Sequence, residues 1–304
     1  MTIDRRPPMF ASYVFARHLL AIATVAFLLL PGPASAQEDE GARKAQVLQQ
    51  AVEAMQKVLQ PGPAVTALGD RATLKVPQGA GFVRQPEAGV WASASGYPGD
   101  PNLVGMLVPT SEQNWVVFID YRSGVRFDDD EARNWNAEDL LARLKAATEE
   151  GNPAREKRGE PQLEVRDWLV RPRYDEGQHT LIWGANTPEK GGEADEGTGN
   201  IHGYVLGNEG YFELTLVSPA AEVASHVPIA QSLVAGLQFT AGHRYQDAVN
   251  GQAEVRPVTS LITPTSPDLR ATVLAYLKAN WLWLLAVLLV LAILAGSALR
   301  ALRR

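Results

Sequence analysis

The sequence predicts an α+β fold: a mainly antiparallel β-sheet with flanking helices, followed by one C-terminal transmembrane helix. Short apolar or alternating segments separated by hairpin-length loops dominate residues 63–250. Two segments with helical spacing interrupt these strands, which is typical of α+β proteins rather than of regular βαβ repeats. An uncharged apolar run near the C-terminus adds the membrane helix.

Composition narrows the classes of function. The chain has 304 residues, a formal net charge of -6 and no cysteine. This length suffices for one well-packed domain with flanking segments. The interior of the chain has no basic block, which argues against a nucleic-acid partner. The lack of cysteine excludes disulfides and thiolate chemistry, so the fold must depend on its apolar core.

The first 36 residues, 1–36, predict a secretory signal peptide. Arginines precede the apolar stretch LLAIATVAFLLL at residues 19–30, which is too short to span a bilayer comfortably. A Pro-Gly-Pro break follows, and Ala34 and Ala36 supply the small residues expected at a cleavage site. The remainder would therefore be exported. An uncleaved N-terminal anchor is the alternative.

Residues 37–62 predict an amphipathic helix. Its apolar side chains recur at three- and four-residue steps, and Pro61 and Gly62 are expected to end it. The apolar positions are Leu48, Val52, Met55 and Leu59. Packing on the domain is the favoured interpretation. Pairing with a second copy, which would make the protein a self-associating spacer, is the other.

The exported domain at residues 63–250 contains the strands. Alternation and apolar runs bounded by turn residues predict them at ATLKVP, LVGMLVP, WVVFIDYR, QLEVRDWLVRPRYD, HTLIWGAN, GNIHGYVLG, YFELTLVSP and LQFTAGHRY. Two segments are expected to lie outside packed elements. One is the polar, glycine-rich loop 188–199, and the other is a Pro/Ser/Thr-rich stalk at 251–278 that joins the domain to the membrane.

Two helices are predicted within the domain. The first follows Asn136, which has the residue type and position of an N-cap, and Gly151 is expected to end it. Its buried stripe should be Leu140, Leu141 and Leu144. In the second segment, AAEVASHVPIAQSLVAGL, Pro228 should separate a short turn from a helix over about residues 228–235.

The C-terminal segment predicts a membrane anchor. Residues 279–299 form the transmembrane helix, with Trp281 and Trp283 at the position of an interfacial aromatic belt. Arg300 opens a positive tail, residues 300–304, which should remain cytoplasmic. The body of the chain would then face the periplasm from the cytoplasmic (inner) membrane.

The acidic stretch GVRFDDDEARNW includes four consecutive acids at 128–131 and is the first candidate for chemistry. A calcium loop counted from Asp128 needs glycine at position six and glutamate at position twelve, where Arg133 and Asp139 stand instead. Consecutive side chains on an extended chain also point in different directions, so the three aspartates are not expected to converge on one ion. The stretch therefore predicts a polar turn that caps backbone groups.

Recognisable catalytic motifs are missing from the sequence. It contains no nucleophile elbow, phosphate-binding loop or paired-histidine metal motif, so we assign no catalytic, cofactor-binding or metal-binding residue and expect no cofactor. The histidines are scattered singly. His179, close to Tyr174 and Asp175, is the one worth testing for a hydrolase or metal-dependent enzyme, and a surface or capping role is the alternative.

Acidic and aromatic side chains within the strands form a third group of candidates. Four acids are expected to be able to face inward: Asp120, Glu164, Asp167 and Glu213. Paired with Arg122, Arg166 or Arg171 they would be structural ion pairs, which sequence does not distinguish from acid–base catalysis. The aromatics either line a groove or pack in the core; they are Trp91, Trp115, Trp135, Trp168, Trp183, Tyr121, Tyr174, Tyr204 and Tyr211.

Several stretches in their order and spacing resemble a known bacterial family. They are WVVFIDYRSGVRFDDDEARNWNAEDLLARLKAATEEGNPAREKRG, VRDWLVRPRYDEGQHTLIWGA, GYVLGNEGYFELTLV and FTAGHRYQDAVNG, and they cover about residues 74–251. The family is domain of unknown function 2167, described as uncharacterised membrane-anchored proteins. The resemblance implies an exported, anchored domain without an established activity. After RYQD, GQAEVRPVTSLITPTSPD replaces the alanine-rich stretch usual in the family.

The order of elements is also similar to small α/β/α sandwiches of the PsbP and Mog1 kind, which serve mostly as binding or assembly modules. Together these observations favour a non-catalytic module of the cell envelope that binds a protein or a small ligand beside the membrane. An envelope hydrolase or metal-dependent enzyme that uses His179 with a nearby carboxylate is the alternative.

Overall fold

The computed structural model describes residues 35–97, 99–248 and 253–263, with side chains from residue 41 onward. The strands and helices of the described ranges belong to one compact unit, which ends at Ile262. No helix in these ranges is both long and apolar enough to cross a bilayer. The predicted membrane segment, with Trp281, Trp283 and Arg300, lies outside them, as does Ala34 of the predicted cleavage site.

A single eight-stranded sheet organises the unit, and every neighbouring pair in it is antiparallel. Its spatial order is β1 (Gln60–Pro61), β4 (Ala80–Arg84), β5 (Leu103–Pro109), β6 (Val116–Ser123), β11 (Gly210–Pro219), β10 (Thr198–Leu206), β9 (Thr180–Ala185) and β8 (Trp168–Asp175). Most of these strands were predicted from alternation or from apolar runs bounded by turn residues. The α+β fold with a large antiparallel sheet is confirmed.

Two smaller sheets and four α-helices complete the described part of the chain. A three-stranded antiparallel sheet has the order β12 (Leu237–Phe239), β3 (Ala72–Val76) and β2 (Ala64–Leu68), and β13 (Glu254–Pro257) pairs in parallel with β7 (Val125–Asp128). The helices are α1 (Ser35–Val58), α2 (Glu87–Ala94), α3 (Ala137–Lys157) and α4 (Val227–Gly236). Short 3-10 turns include Asp130–Arg133 and Val258–Leu261.

Both faces of the central sheet are covered. On one face, the three-stranded sheet and α4 enclose the largest apolar cluster, around Leu74, Phe212 and Leu233. On the other face the apolar residues divide into two separate clusters. One lies under α1 and α2 around Met106, and the other lies under α3 and the C-terminal turn around Leu181. A polar strip of sheet surface therefore remains between them.

Helix α3 begins as predicted and ends later than predicted. The Asn136 side chain accepts hydrogen bonds from the backbone N–H groups of Glu138 and Asp139, at 2.8 and 3.4 Å, and so caps the first turn. The helix continues through Gly151 to Lys157 because the buried Asn152 side chain bonds the backbone N–H and C=O of Leu163, both at 2.9 Å. Tertiary anchoring therefore overrides the glycine stop signal.

The structure differs from the sequence prediction at two further places, helix α2 and residues 254–262. Helix α2 was not predicted, since its sequence EAGVWASA is short and gives little periodicity, and buried Ala88 and Ala92 hold it against the sheet. The predicted stalk 251–278 was wrong for residues 254–262, which belong to the domain. Strand β13 pairs there, and Val258 and Ile262 are fully buried because both pack in the cluster under α3.

Candidate functional site

The polar strip brings together side chains from three adjacent central strands. Asp120 on β6 lies opposite Glu213 on β11, and Glu213 lies opposite Tyr204 on β10. Because alternate residues of a strand share one face, these three project toward α1, α2 and α3. With two neighbours they form the Asp120 cluster: Asp100, Asp120, Arg122, Tyr204 and Glu213.

Most members of the Asp120 cluster have partners within it. The Tyr204 hydroxyl donates to Glu213 Oε1 at 3.0 Å, and Arg122 Nε donates to Glu213 Oε2 at 3.4 Å. Arg122 Nη2 also donates to Asp100 Oδ2 at 2.9 Å. The other oxygen of Asp100 accepts from the backbone N–H and the side-chain amide of Asn102, both at 2.8 Å. Arg122 thus bridges two carboxylates.

Asp120 differs from the other acids of its cluster. Only 8% of the residue is exposed, and its Oδ1 atom is shielded from solvent without a hydrogen-bond partner among the described residues. Burial, together with the charges of Asp100 and Glu213, raises the pKa of Asp120 to about 6. At Glu213 burial acts in the same direction, but His202, Tyr204 and Arg122 outweigh it and lower the pKa of that carboxyl.

A cavity of about 980 Å³ adjoins Asp120. It lies between α1 and α2 on one side and the strands β5, β6, β11 and β10 on the other. Apolar side chains supply much of its wall, including Leu103, Phe118 and Val217. The sheet adds four polar residues, Asp120, Thr198, Asn200 and Thr215. Asp120, whose Oδ1 has no hydrogen-bond partner among the described residues, therefore lines a cavity of ligand size.

A second polar group, the Asp129 cluster, lies beyond the end of β7 and consists of Asp129, Tyr174, His179 and Tyr245. The Tyr174 hydroxyl donates to Asp129 Oδ2 at 2.7 Å, and the Tyr245 hydroxyl donates to Oδ1 at 3.1 Å. His179 Nδ1 lies 3.2 Å from Oδ2, and its ring stacks on Tyr245 with the centroids 3.9 Å apart. Both carboxylate oxygens are therefore engaged.

The hydrogen bonds of the Asp129 cluster favour one charge state. Burial opposes ionisation of Asp129, but the bonds from Tyr174, Tyr245 and His179 outweigh it, so the pKa of Asp129 is lowered. Burial and the Asp129 charge raise the pKa of Tyr245 to about 12, so this phenol remains a donor. The cluster ties together three separate parts of the chain: the end of β7, the β8–β9 hairpin and the segment after β12.

The family model described as "Protein of unknown function (DUF2167)" matches residues 60–295. The chain belongs to the DUF2167 family. A solved structure that it resembles is the solution structure of cyanobacterial PsbP (CyanoP) from Synechocystis sp. PCC 6803, with 11% identity and a TM-score of 0.37 over 58% of this chain and 90% of that chain. No curated protein matches the sequence.

In this DUF2167 protein, two of the acids predicted within strands belong to the Asp120 cluster. Asp120 and Glu213 face inward as considered, and Arg122 pairs with Glu213. Glu164 and Asp167 are exposed instead. Their suggested partners make surface ion pairs, since Arg166 lies 3.9 Å from Glu164 and Arg171 lies 2.8 Å from Glu138.

Of the two side chains noted near His179 in the sequence, the Tyr174 hydroxyl lies 3.2 Å from its Nδ1, whereas Asp175 bonds elsewhere. Asp175 Oδ1 accepts from the backbone N–H groups of Gly177 and Gln178, at 2.9 and 3.0 Å, so this acid closes the hairpin turn. His179 turns to Asp129 because its backbone adopts the left-handed region, with φ of 51°, an uncommon conformation for a residue with a side chain. The acidic run and His179, which were treated as separate candidates, belong to one cluster.

The capping role predicted for the acidic run is confirmed for Asp128, whose Oδ1 accepts from the backbone N–H of Asp130 at 3.0 Å. The prediction that the three aspartates diverge was wrong, because one oxygen from each lies within 4.8 Å of the others. Strand alternation ends at Asp128, and the following 3-10 turn brings the side chains together. Glu131 also accepts from the backbone N–H of Thr259 at 3.0 Å, which anchors the C-terminal turn.

Asp100, α2 and the cavity were not predicted from the sequence. The signal for Asp120 was present: an aspartate stands in WVVFIDYR, between an apolar run and an arginine two positions later. No comparable signal marks α2. Of the aromatic side chains considered for a groove, Trp91 packs behind the cavity wall against Tyr97 and Phe118, with ring centroids 6.2 and 6.4 Å away.

Proposed function

We propose that this DUF2167 protein is a non-catalytic ligand-binding module, held at the cytoplasmic membrane by its C-terminal helix with its body in the periplasm. The observation that carries the binding function is the cavity of about 980 Å³ lined by buried Asp120, whose Oδ1 has no hydrogen-bond partner in the described ranges. Small-molecule sites are generally concave, mostly apolar and equipped with a few oriented polar groups, which is the composition of this wall.

The position of the cavity supports binding. Its walls come from the helices α1 and α2 on one side and from the central sheet on the other. A sheet with antiparallel partners on both sides holds Asp120 at a fixed position, which is the condition for recognising a ligand group by its charge. The site therefore combines a fixed polar group with apolar side chains from the facing elements.

The proposed location rests on the two ends of the sequence. A signal peptide at 1–36 and an apolar helix at 279–299 followed by Arg300 give the chain one orientation, with residues between them outside the cytoplasm. A protease added to spheroplasts should digest the body and leave a C-terminal tag intact. Protection of the body together with the tag would contradict this topology.

The binding function is tested by narrowing the cavity. Val90 lines it from α2 and is 52% exposed, so Val90→Trp adds volume at the mouth with little strain in the core. Val65→Trp is the matched control, because Val65 is 64% exposed on β2 and lies outside the cavity wall. The full chain in lipid nanodiscs would be screened against a panel of small amines, alcohols and acids by thermal shift and calorimetry.

We expect saturable binding by the unmodified chain and by Val65→Trp, and at least tenfold weaker binding by Val90→Trp at an unchanged melting temperature. Equal affinities in both variants would place the binding elsewhere and overturn the assignment of the cavity. Steady turnover of envelope esters, amides or glycans that Val90→Trp abolishes would show an enzyme instead of a binding module.

An envelope hydrolase with His179 as general base is the second candidate. Two observations favour it: His179 Nδ1 lies 3.2 Å from Asp129 Oδ2, and the residue has a left-handed backbone. In many hydrolytic active sites a carboxylate orients the histidine that acts as general base, and backbone strain is often found at such sites. Loss of ester or amide hydrolysis in His179→Ala, with folding intact, would support this function, and unchanged rates would remove it.

A further inference from the structure

We propose that the cavity takes a monocationic amphipathic ligand, whose ammonium group pairs with Asp120 and whose apolar body packs against Leu103, Phe118 and Val217. This inference rests on the proposed binding function and adds the chemical class of the ligand. Three features support it: the charge balance of the Asp120 cluster, the pairing of its members and the composition of the cavity wall.

The charge balance around Asp120 is negative. The Asp120 cluster has three carboxylates, on Asp100, Asp120 and Glu213, and one guanidinium, on Arg122. Arg122 is committed to the other two acids, at 2.9 Å from Asp100 and 3.4 Å from Glu213. A single cation beside Asp120 would balance the carboxylate that Arg122 does not engage. An anionic ligand would face three like charges, which is unfavourable in a shielded site.

The pairing of hydrogen-bond donors and acceptors also favours a cation beside Asp120. Asp100 and Glu213 each accept bonds at both oxygens, from Asn102 and Arg122 and from Tyr204 and Arg122 respectively. Asp120 Oδ1 has no partner among the described residues although only 8% of the residue is exposed. A buried carboxylate without a partner is costly, and an N–H donor of positive charge relieves that cost most strongly.

The wall next to Asp120 specifies the rest of the ligand. Leu103 lies directly opposite Asp120 across β5 and β6, and Phe118 stands two positions away on the same strand face. Val217 continues this apolar surface on β11. Only one carboxylate lacks a partner in the described cavity wall, so a ligand with one ammonium group and an aliphatic or aromatic body fits better than a polyamine.

The test compares three probes of equal length that differ in charge: hexylammonium, hexanol and hexanoate. Calorimetry would use the full chain in lipid nanodiscs at pH 7.5, with empty nanodiscs to subtract partition into lipid. We expect hexylammonium to bind with a stoichiometry of one and at least tenfold more tightly than hexanol, and hexanoate to bind more weakly than hexanol.

Two variants assign the charge preference to one residue. Asp120→Asn should weaken hexylammonium binding at least tenfold and change hexanol binding less than twofold, because it removes the charge and keeps the shape. Asp167→Asn removes an exposed carboxylate outside the cavity wall and should change neither. If Asp120→Asn fails to fold, the unmodified chain still gives a test, since hexylammonium should bind more weakly at pH 5 than at pH 7.5 while hexanol should not.

The outcomes separate this inference from the proposed function. Equal binding of hexylammonium and hexanol, or amine binding that Asp120→Asn leaves intact, would overturn the charge assignment while the cavity remains a binding site. A parallel loss of all three probes in Asp120→Asn would make Asp120 a structural residue and also overturn it. Lack of saturable binding by every compound of the panel and every probe would overturn the proposed function itself.

Discussion

Asp120 and Asp129 stand nine positions apart in the sequence and in opposite chemical situations. Asp129 accepts hydrogen bonds from two phenols and contacts an imidazole, and its pKa is lowered. Asp120 has an oxygen without a partner, and burial raises its pKa to about 6. Asp129 joins separate parts of the fold, whereas Asp120 has a carboxylate oxygen that can still accept a hydrogen bond. Burial alone therefore does not mark a site; the unused hydrogen-bonding capacity does.

The largest effect that tests this comparison is expected for Asp129→Ala. It removes the charged acceptor of the Tyr174 hydroxyl and the contact with His179, whereas the Tyr245 hydroxyl keeps the backbone C=O of Phe127 as an acceptor at 2.7 Å. Losing the charge-assisted bond from Tyr174 together with the contact to His179 should lower the free energy of unfolding by about 2 kcal/mol. Denaturant unfolding followed by tryptophan fluorescence measures it. A loss below about 1 kcal/mol would mean that the cluster contributes little to joining the segments.

A smaller effect of opposite sign is expected for Asp120→Asn. The substitution removes an unpaired buried charge and keeps the volume, so the free energy of unfolding should rise by about 1 kcal/mol at pH 7.5. The same unfolding experiment measures it. Destabilisation comparable to that of Asp129→Ala would contradict the view that Asp120 is free for a ligand.

The two aspartates should also differ in how these effects depend on pH. The folded pKa of Asp120 is raised from 3.8 to about 6, so its unfavourable charge is fully present above pH 6 and disappears as the pH falls toward 4. The increase in the free energy of unfolding caused by Asp120→Asn should therefore become smaller as the pH falls from 6 to 4. The folded pKa of Asp129 is lowered, so its favourable contribution persists down to its ordinary pKa and is lost only below it.

Unfolding curves of both variants at pH 7.5, 6, 5 and 4 give the comparison. The cost of Asp129→Ala should stay constant from pH 7.5 to 5. If the destabilisation by Asp129→Ala falls over the same pH range as the stabilisation by Asp120→Asn, the two carboxylates are coupled rather than independent.

The smallest effect is expected for Asp128→Ala. Asp128 is exposed and makes one capping bond to the backbone N–H of Asp130 at 3.0 Å, so its loss should cost about 0.5 to 1 kcal/mol. Asp128→Asn keeps the acceptor oxygen and should cost less. An Asp128→Ala cost as large as that of Asp129→Ala would show that the acidic run acts as one unit instead of through Asp129.

Local signals predicted the parts of the fold that depend on local physics. The Asn136 cap starts α3, and alternation, apolar runs and turn residues predicted most of the central sheet, because these signals act within a few residues. The end of α3 and the burial of Val258 escaped prediction. Both depend on distant partners: Asn152 on Leu163, and Val258 on the cluster under α3.

The site was predicted only in fragments. Asp120, Glu213 and Arg122 were candidates because charged residues in apolar strands must find partners. Glu213 is paired and Asp120 is not, because Tyr204 bonds Glu213 and Asp100 engages Arg122. Asp100 lies 20 residues before Asp120, and Tyr204 lies nine residues before Glu213. Sequence spacing does not contain that information.

By itself the sequence determined the fold class, the DUF2167 family and the local roles of Asn136 and Asp128, since each follows from neighbouring residues or from ordered motifs. It also predicts the signal peptide and the anchor from hydropathy alone. Tertiary structure decided which carboxylate is satisfied, which partner His179 takes and where α2 encloses a cavity. The physical reason is that hydrogen-bond satisfaction and burial are properties of side chains brought together from distant positions, and only the folded chain places them.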